Sequence, residues 1–310
     1  MRRILLVYNP HSTNYCRVRS EILDHPNLFE GYAVAHHTIK KAPYATNLAA
    51  TAGAIQDGDL VLALGGDATA SVCANAILSS RRDATLAVLP YGNFNDLART
   101  LGTMKLRDLS LSMGAESAGA SLYPLQIFVN GKFWRYATCY VTIGMTAEAV
   151  ELFDEPKFRA YMKKGHKSSW RSYLALAKWY FKNRHKKTFI PEFTLNGHAT
   201  KPGISDYCAL SGRSMCRVMK GGDDYKKPKV FRSENCRLTS FPRLFKLMAQ
   251  AILFRTPGTP TTCDLLEFKN PATIELQAEG EYQVFKDVKT VEVKKGGPAL
   301  KVIERRRKGN

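Results

Sequence analysis

An α/β domain built on a parallel sheet, followed by a mainly β sandwich domain with an inserted basic helix, is the fold class predicted by this chain of 310 residues. Three observations point there. First, two apolar runs, 60–64 and 86–89, each stop at a polar turn containing glycine and give way to helical spacing. Each run is long enough for one buried strand and too short for a typical helix. The order strand, turn, helix, strand, turn, helix describes a parallel unit whose turns fall on one sheet edge. Second, beyond residue 124, short runs rich in aromatic and β-branched residues alternate with turn signals. Third, charge is divided unevenly. Residues 1–123 carry 11 Lys and Arg against 10 Asp and Glu, whereas residues 124–310 carry 35 against 17. The first half reads as an ordinary α/β domain and the second as a surface for a polyanion, either an anionic membrane or a nucleic acid.

The elements follow in order. The apolar run 4–7 is a short first strand ending at Asn9-Pro10. The run 60–64 leads into Gly65-Gly66-Asp67-Ala68-Thr69. Glycines there let the backbone turn sharply and let another group come close. Amides released by such a turn can point at an anion. Asp67 can hold a cation or orient a ligand hydroxyl, and Thr69 adds a hydroxyl. The same five residues are also ordinary turn chemistry. Helical spacing of Val72, Ala76 and Ile77 follows over 71–78, and the run 86–89 then leads into a second polar turn and a second helical pattern.

In the second half, strands are predicted at 125–129, 133–141, 189–195, 207–211, 273–277 and 288–293. Asn130-Gly131 and Asn196-Gly197 are hairpin signals. Gly221 to Asp224 reads as a long loop. The segment 301–303 is a closing strand. The domains expected are therefore 1–123 plus a returning strand within 298–310, and 124–297.

Residues 157–187, bounded by Lys157 and Lys187, hold 11 Lys and Arg and no acid. From Ser168 or Ser169 as cap, Trp170, Tyr173, Leu174, Ala177 and Phe181 form one helical stripe, and Arg171, Lys178 and Lys182 another. A basic amphipathic helix edged by aromatics suits an anionic membrane surface. It also suits packing on its own domain with a solvated basic face. No helix-turn-helix, zinc-finger or RNA-recognition signature accompanies the charge, which argues against nucleic acid. There is no run of eighteen apolar residues, so no spanning helix is expected. The apolar run behind the N-terminal arginines is too short for a signal peptide. Seven cysteines without a CxxC pair read as buried free thiols in a reducing cytosol.

At this point the chain resembles the diacylglycerol and sphingosine kinase-like lipid kinase family. GGDAT at 65–69 resembles its GGDGT signature, and PYGNFNDLART at 90–100 resembles PLGTGNDFART. Asn9-Pro10 resembles the first-strand nucleotide contact. Thr-Ile-Gly-Met at 142–145 resembles a small-residue turn early in the second domain. Glu-Gly-Glu at 279–281 resembles the Asp-Gly-Glu catalytic turn, and 298–303 resembles the closing strand.

The resemblance implies a Rossmann-like nucleotide-binding domain, ATP and Mg2+ as cofactors, and γ-phosphoryl transfer to a lipid hydroxyl at the cytoplasmic face of a membrane. It implies that backbone amides around Gly65, Gly66 and Thr69 cradle the phosphates, that Asn9, Thr38 and Asn95 hold the nucleotide, that Ala68, Gly92, Asn93 and Asp96 also belong to the cofactor-binding set, and that Asp67 binds magnesium, directly or through water. It implies Glu281 first, and Glu279 beside it, as the carboxylate that takes the acceptor proton. If that segment is extended, both side chains share a face.

The chain also departs from the family. Ala68 replaces a glycine, at a cost of about 1–2 kcal/mol if the position needs a left-handed backbone. Asn93 and Phe94 replace threonine and glycine. Arg232-Ser233-Glu234-Asn235-Cys236-Arg237-Leu238 replaces an acidic run that holds a structural magnesium in some members, so that site is expected to be missing. These departures keep two other readings open. One is a degenerate kinase fold that binds nucleotide or anionic lipid without turnover. The other is an NAD kinase, which shares the Gly-Gly-Asp turn but not NDLART. No GxxxxGK[ST] loop is present, which excludes a P-loop enzyme.

Overall fold

The computed structural model describes residues 3–12, 14–92, 94–104, 106, 120–155, 157–158, 174–175, 177–179, 182, 192–199, 206–215, 219–222, 224–227, 231–236 and 259–305. In chain order the first elements are β1 (Arg3–Tyr8), α1 (Tyr15–Val18), a π-helical turn Arg19–Leu23, β2 (Ala33–Thr38), α2 (Tyr44–Ala54), β3 (Leu60–Gly65), α3 (Asp67–Ser80), β4 (Thr85–Pro90), α4 (Asp96–Thr100) and β5 (Ala120–Leu122). Next come β6 (Leu125–Val129), β7 (Lys132–Ala137), β8 (Tyr140–Gly144), α5 (Met145–Asp154), β9 (Phe193–Leu195), β10 (His198–Ala199), β11 (Asp206–Leu210), β12 (Ser214–Met215) and β13 (Met219–Lys220). The last are β14 (Phe231–Cys236), β15 (Thr259–Cys263), β16 (Leu265–Ala278), β17 (Glu281–Lys294) and β18 (Leu300–Val302). The chain divides into two units, Met1–Tyr123 with Pro298–Asn310, and Pro124–Gly297.

The first unit holds a six-stranded sheet in the order β2-β1-β3-β4-β18-β5. All neighbouring pairs are parallel except β18 with β5. Every residue of β3 is buried, as a strand covered on both faces requires. That burial is why Leu60–Gly65 reads as a continuous apolar run. Ile4, Leu6, Leu60, Leu62, Leu64, Ala87 and Leu89 form one side of the core with Val18 and Ile22. The order reverses between β1 and β3, because β2 lies on one side of β1 and β3 on the other. That reversal opens a crevice at the carboxyl ends of those strands, where α/β sheets take their ligands.

The second unit is mainly antiparallel. Its sheet runs β15-β14-β11-β8-β16-β17-β6-β7, with β9 on β16 and β10 on β9, while β12 and β13 form a separate pair. Inward residues of β6, β8, β11, β16 and β17 share one apolar core. The expected mainly β domain is thus built on a ten-stranded, hydrogen-bonded sheet with that core. The joining strands β16 and β17 are 14 residues each, and β16 carries a register shift between Lys269 and Ala272.

Several sequence expectations are corrected here. The single strand expected at 133–141 is two, β7 and β8, separated by a bend at Thr138-Cys139. The strands expected at 273–277 and 288–293 are segments of β16 and β17. Cys16 is exposed, whereas Cys73, Cys139 and Cys208 are buried. Both Asn-Gly pairs do form hairpins, with all four residues at positive φ. The basic helix expected within 157–187 lies mostly outside the described residues, including Trp170, Arg171, Tyr173 and Phe181; so does Asn93. The side chains of Arg232 to Cys236, which bear on the magnesium run, also lie outside them. No described helix is long and apolar enough to cross a membrane.

Candidate active site

The loops after β3 and β4 are fused at the carboxyl edge of the first sheet. Gly65 pairs with Pro90, and the N–H of Tyr91 donates to the Gly65 carbonyl at 3.1 Å. A Cβ on Gly66 would lie 3.1 Å from the Cα of Gly92, and a Cβ on Gly92 would overlap the Cα of Gly66. The two glycines therefore serve mutual approach of two backbones. Gly66 itself is extended, with φ −93° and ψ −168°, so the sharp turn expected of it is not what the residue supplies.

Side chains lock the two loops together. Asp67 accepts the backbone N–H of Leu97 at 3.2 Å and so caps α4 from the other loop. Asn95, 7% exposed, adopts a left-handed backbone. Its Oδ1 accepts the N–H of Gly92 at 2.8 Å, and its Nδ2 donates to the Gly92 carbonyl at 2.7 Å. The nucleotide contact expected of Asn95 is thus a loop closure first. Asp96, fully buried, accepts from Arg99 at 2.6 Å within α4. Thr69, 4% exposed, packs beneath Gly65, whose added Cβ would meet its hydroxyl at 2.5 Å.

The start of α3 faces the same edge. The N-cap of this helix of 14 residues is Gly66, which makes no side-chain cap hydrogen bond, and the first-turn amides of an α-helix have no acceptor within the helix. Together with the helix dipole they form an anion seat. Ala68 is exposed in that first turn and is not among the residues with positive φ. The strain expected at this alanine is therefore absent. At the end of β1, Asn9 accepts the N–H of His11 at 2.9 Å through its side chain, and Thr38, half-buried, ends β2 beside Tyr8. Asn9 and the β3 loop flank the crevice at the strand-order reversal.

This donor set fits a nucleoside triphosphate: helix amides for the phosphates, and close glycine backbones where a side chain would intrude. Among the described residues no group of three or more His, Cys, Asp and Glu could hold a metal by themselves. A magnesium ion is commonly held by one or two carboxylates together with substrate phosphates, and Asp67, half-buried at the helix start, is placed for that share.

The acidic turn belongs to the second unit. Glu279 and Gly280 both have positive φ and join β16 to β17, with Ala278 paired to Glu281. The segment is a tight hairpin, so the extended arrangement expected for Glu279 and Glu281 is overturned. Glu279 is 2% exposed; its Oε1 accepts the Thr138 hydroxyl and, at 2.6 Å, the Cys139 N–H. Ser211 donates its hydroxyl to the Thr138 carbonyl at 3.1 Å. Glu281, half-buried, opens β17. Gly144, at φ 93°, makes the strand-to-helix turn expected at 142–145.

Sequence reasoning missed Tyr91. It is 4% exposed, and its hydroxyl donates to Glu21 at 2.9 Å. The partners are 70 residues apart, and no local pattern announces the pair.

Comparison with known proteins finds relatives of one kind. The diacylglycerol kinase catalytic domain family model matches residues 3–117. A diacylglycerol kinase of Bacillus subtilis is 35% identical over 106 residues, which is 33% of this chain and 34% of that protein. The match spans about a third of the relative's length. The crystal structure of a diacylglycerol kinase from Bacillus anthracis superposes with a TM-score of 0.65 at 16% identity, covering 98% of this chain and 97% of that one. At that identity the superposition speaks for the fold alone.

Proposed function

From the match of residues 3–117 to the diacylglycerol kinase catalytic domain family model, we propose that this protein is an ATP-dependent lipid kinase. It transfers the γ-phosphoryl group to the hydroxyl of a diacylglycerol-like acceptor at an anionic membrane surface on the cytoplasmic side. The observation that carries the reading is the fusion of two loops by Asp67 and Leu97 beside the start of α3, whose N-cap is Gly66. Phosphoryl transfer depends mainly on positioning and charge stabilisation, and that arrangement supplies both.

In this reading the α3 amides and the Gly66 and Gly92 backbones cradle the phosphates. Asn9 and Thr38 border the nucleoside. Asp67 holds magnesium, which neutralises phosphate charge when bound. Glu281 takes the acceptor proton, and Glu279 shapes the turn that presents it. The basic run Arg305-Arg306-Arg307-Lys308 and the segment 157–187 supply attraction to anionic lipid, at about 1 kcal/mol for each Lys or Arg near the surface.

The test is incubation of the whole chain with labelled ATP, Mg2+ and diacylglycerol in vesicles containing an anionic phospholipid. A phosphorylated lipid whose formation disappears in Glu281→Gln supports the reading. ATP binding by calorimetry without any lipid product favours the degenerate fold, and phosphorylation of NAD in place of lipid favours an NAD kinase.

A further inference from the structure

The geometry points to Tyr91, clamped by Glu21, as a positioning residue that sets the second phosphate loop from the π-helical turn after α1. This rests on the nucleotide reading above. Tyr91 stands where the PLGTGNDFART pattern has leucine, so its hydroxyl is an addition made by this chain. It immediately precedes Gly92, the residue that meets Gly66 and is closed by Asn95.

Three observations converge on the contact. The Tyr91 hydroxyl donates to Glu21 Oε2 at 2.9 Å while Arg17 donates to Glu21 Oε1 at 2.9 Å. The carboxylate is therefore held from both sides. The Arg17 guanidinium also lies over the Tyr91 ring, 5.5 Å from its centroid, within cation–π range. Finally, Glu21 sits in the middle of the π-helical turn Arg19–Leu23. Such turns are rare and concentrate at functional sites. Here the wider turn sits where Glu21 meets a loop 70 residues away.

A hydroxyl that stays protonated keeps this clamp intact. Burial, and then the Glu21 carboxylate, push the Tyr91 phenol well above its ordinary range, so the donor persists through any working pH. Hydrogen bonds to a charged acceptor are among the stronger ones. The clamp fixes Tyr91, Tyr91 fixes the approach of Gly92 to Gly66, and that approach sets where the second loop meets the phosphates.

The experiment is calorimetric titration of ATP into the whole chain, with turnover measured at saturating ATP. Tyr91→Phe keeps the ring and removes the donor. It is expected to weaken ATP binding about fivefold to tenfold, with turnover at saturating ATP near that of the parent. Glu21→Ala should do the same, Glu21→Gln should recover most of the loss, and the double variant Tyr91→Phe with Glu21→Ala should be no worse than either alone. If the parent binds ATP and Tyr91→Phe binds it equally well, the inference falls while the kinase reading stands. Additive losses in the double variant also overturn it. If the parent binds no ATP, the nucleotide reading falls and takes this inference with it.

Discussion

The Asp67 carboxylate accepts the backbone N–H of Leu97 at 3.2 Å, across 30 residues of sequence. One acid thus does two jobs: it caps α4, and it brings a negative charge to the start of α3. The two jobs separate by mutation. Asp67→Asn keeps an acceptor for Leu97 and loses the charge, whereas Asp67→Ala loses both. Loss of a cap costs about 1 kcal/mol, so Asp67→Ala should lower unfolding free energy by that amount and Asp67→Asn by much less. Both should lower lipid phosphorylation by about a hundredfold or more, the scale for removing one electrostatic contact from a transition state. Denaturant melts beside the labelled-ATP assay check the split. Equal activity of Asp67→Asn and the parent would remove Asp67 from the metal role.

The Gly66 and Gly92 contact predicts an order among alanine variants. A Cβ at Gly92 would overlap the Gly66 backbone, which cannot move as a flexible side chain would, while one at Gly66 would sit 3.1 Å from the Gly92 Cα. Overpacking costs about 1–3 kcal/mol. Gly92→Ala should therefore be the more destabilised of the two and should lose ATP binding with it. Ala68→Gly, exposed at a helix start, should cost less than about 1 kcal/mol. Chemical denaturation and ATP titration of the three variants give the ranking.

Those two loops were legible because each requirement is local. A buried parallel strand must be an unbroken apolar run, and a backbone approached by another backbone must be glycine. The Asn130 and Asn196 hairpins were legible for the same reason, since left-handed positions select Asn and Gly. The bend between β7 and β8 was not. Residues 133–141 contain neither Gly nor Pro, and the break occurs because Cys139 turns its N–H to Glu279, 140 residues away. The full length of β16 was hidden as well. Pro271 interrupts its pattern, yet the strand continues through a register shift at that point, where the missing N–H is tolerated.

The two glutamates of the second unit should respond in opposite ways. Glu279 is buried and accepts from Thr138 and Cys139. Glu279→Ala strands those buried donors, at about 1–3 kcal/mol. Glu281 is half-buried at the start of β17, and Glu281→Gln should change stability by no more than about 0.5 kcal/mol while abolishing lipid phosphorylation. Thermal melts and turnover, measured together, test the contrast. A Glu281→Gln variant with parental turnover would move the proton acceptor elsewhere.

Acid sensitivity of the first unit should trace to His37. Burial, and then the charge of Lys40, lower its pKa from the ordinary 6.5. Its Nε2 lies 3.1 Å from the Thr51 hydroxyl oxygen. That hydroxyl gives its proton to the Asn47 carbonyl at 2.7 Å, so it accepts from Nε2–H of the neutral ring. A base whose folded pKa is depressed binds fewer protons folded than unfolded in the window between the two values. Stability then rises with pH there. The contribution is complete above 6.5 and is lost as pH falls through 6.5 toward the folded value. Melting temperatures of the parent should fall between pH 7.5 and pH 5.5, and His37→Gln should fall less over the same interval. Identical slopes for the two proteins would show that some other group carries the acid sensitivity.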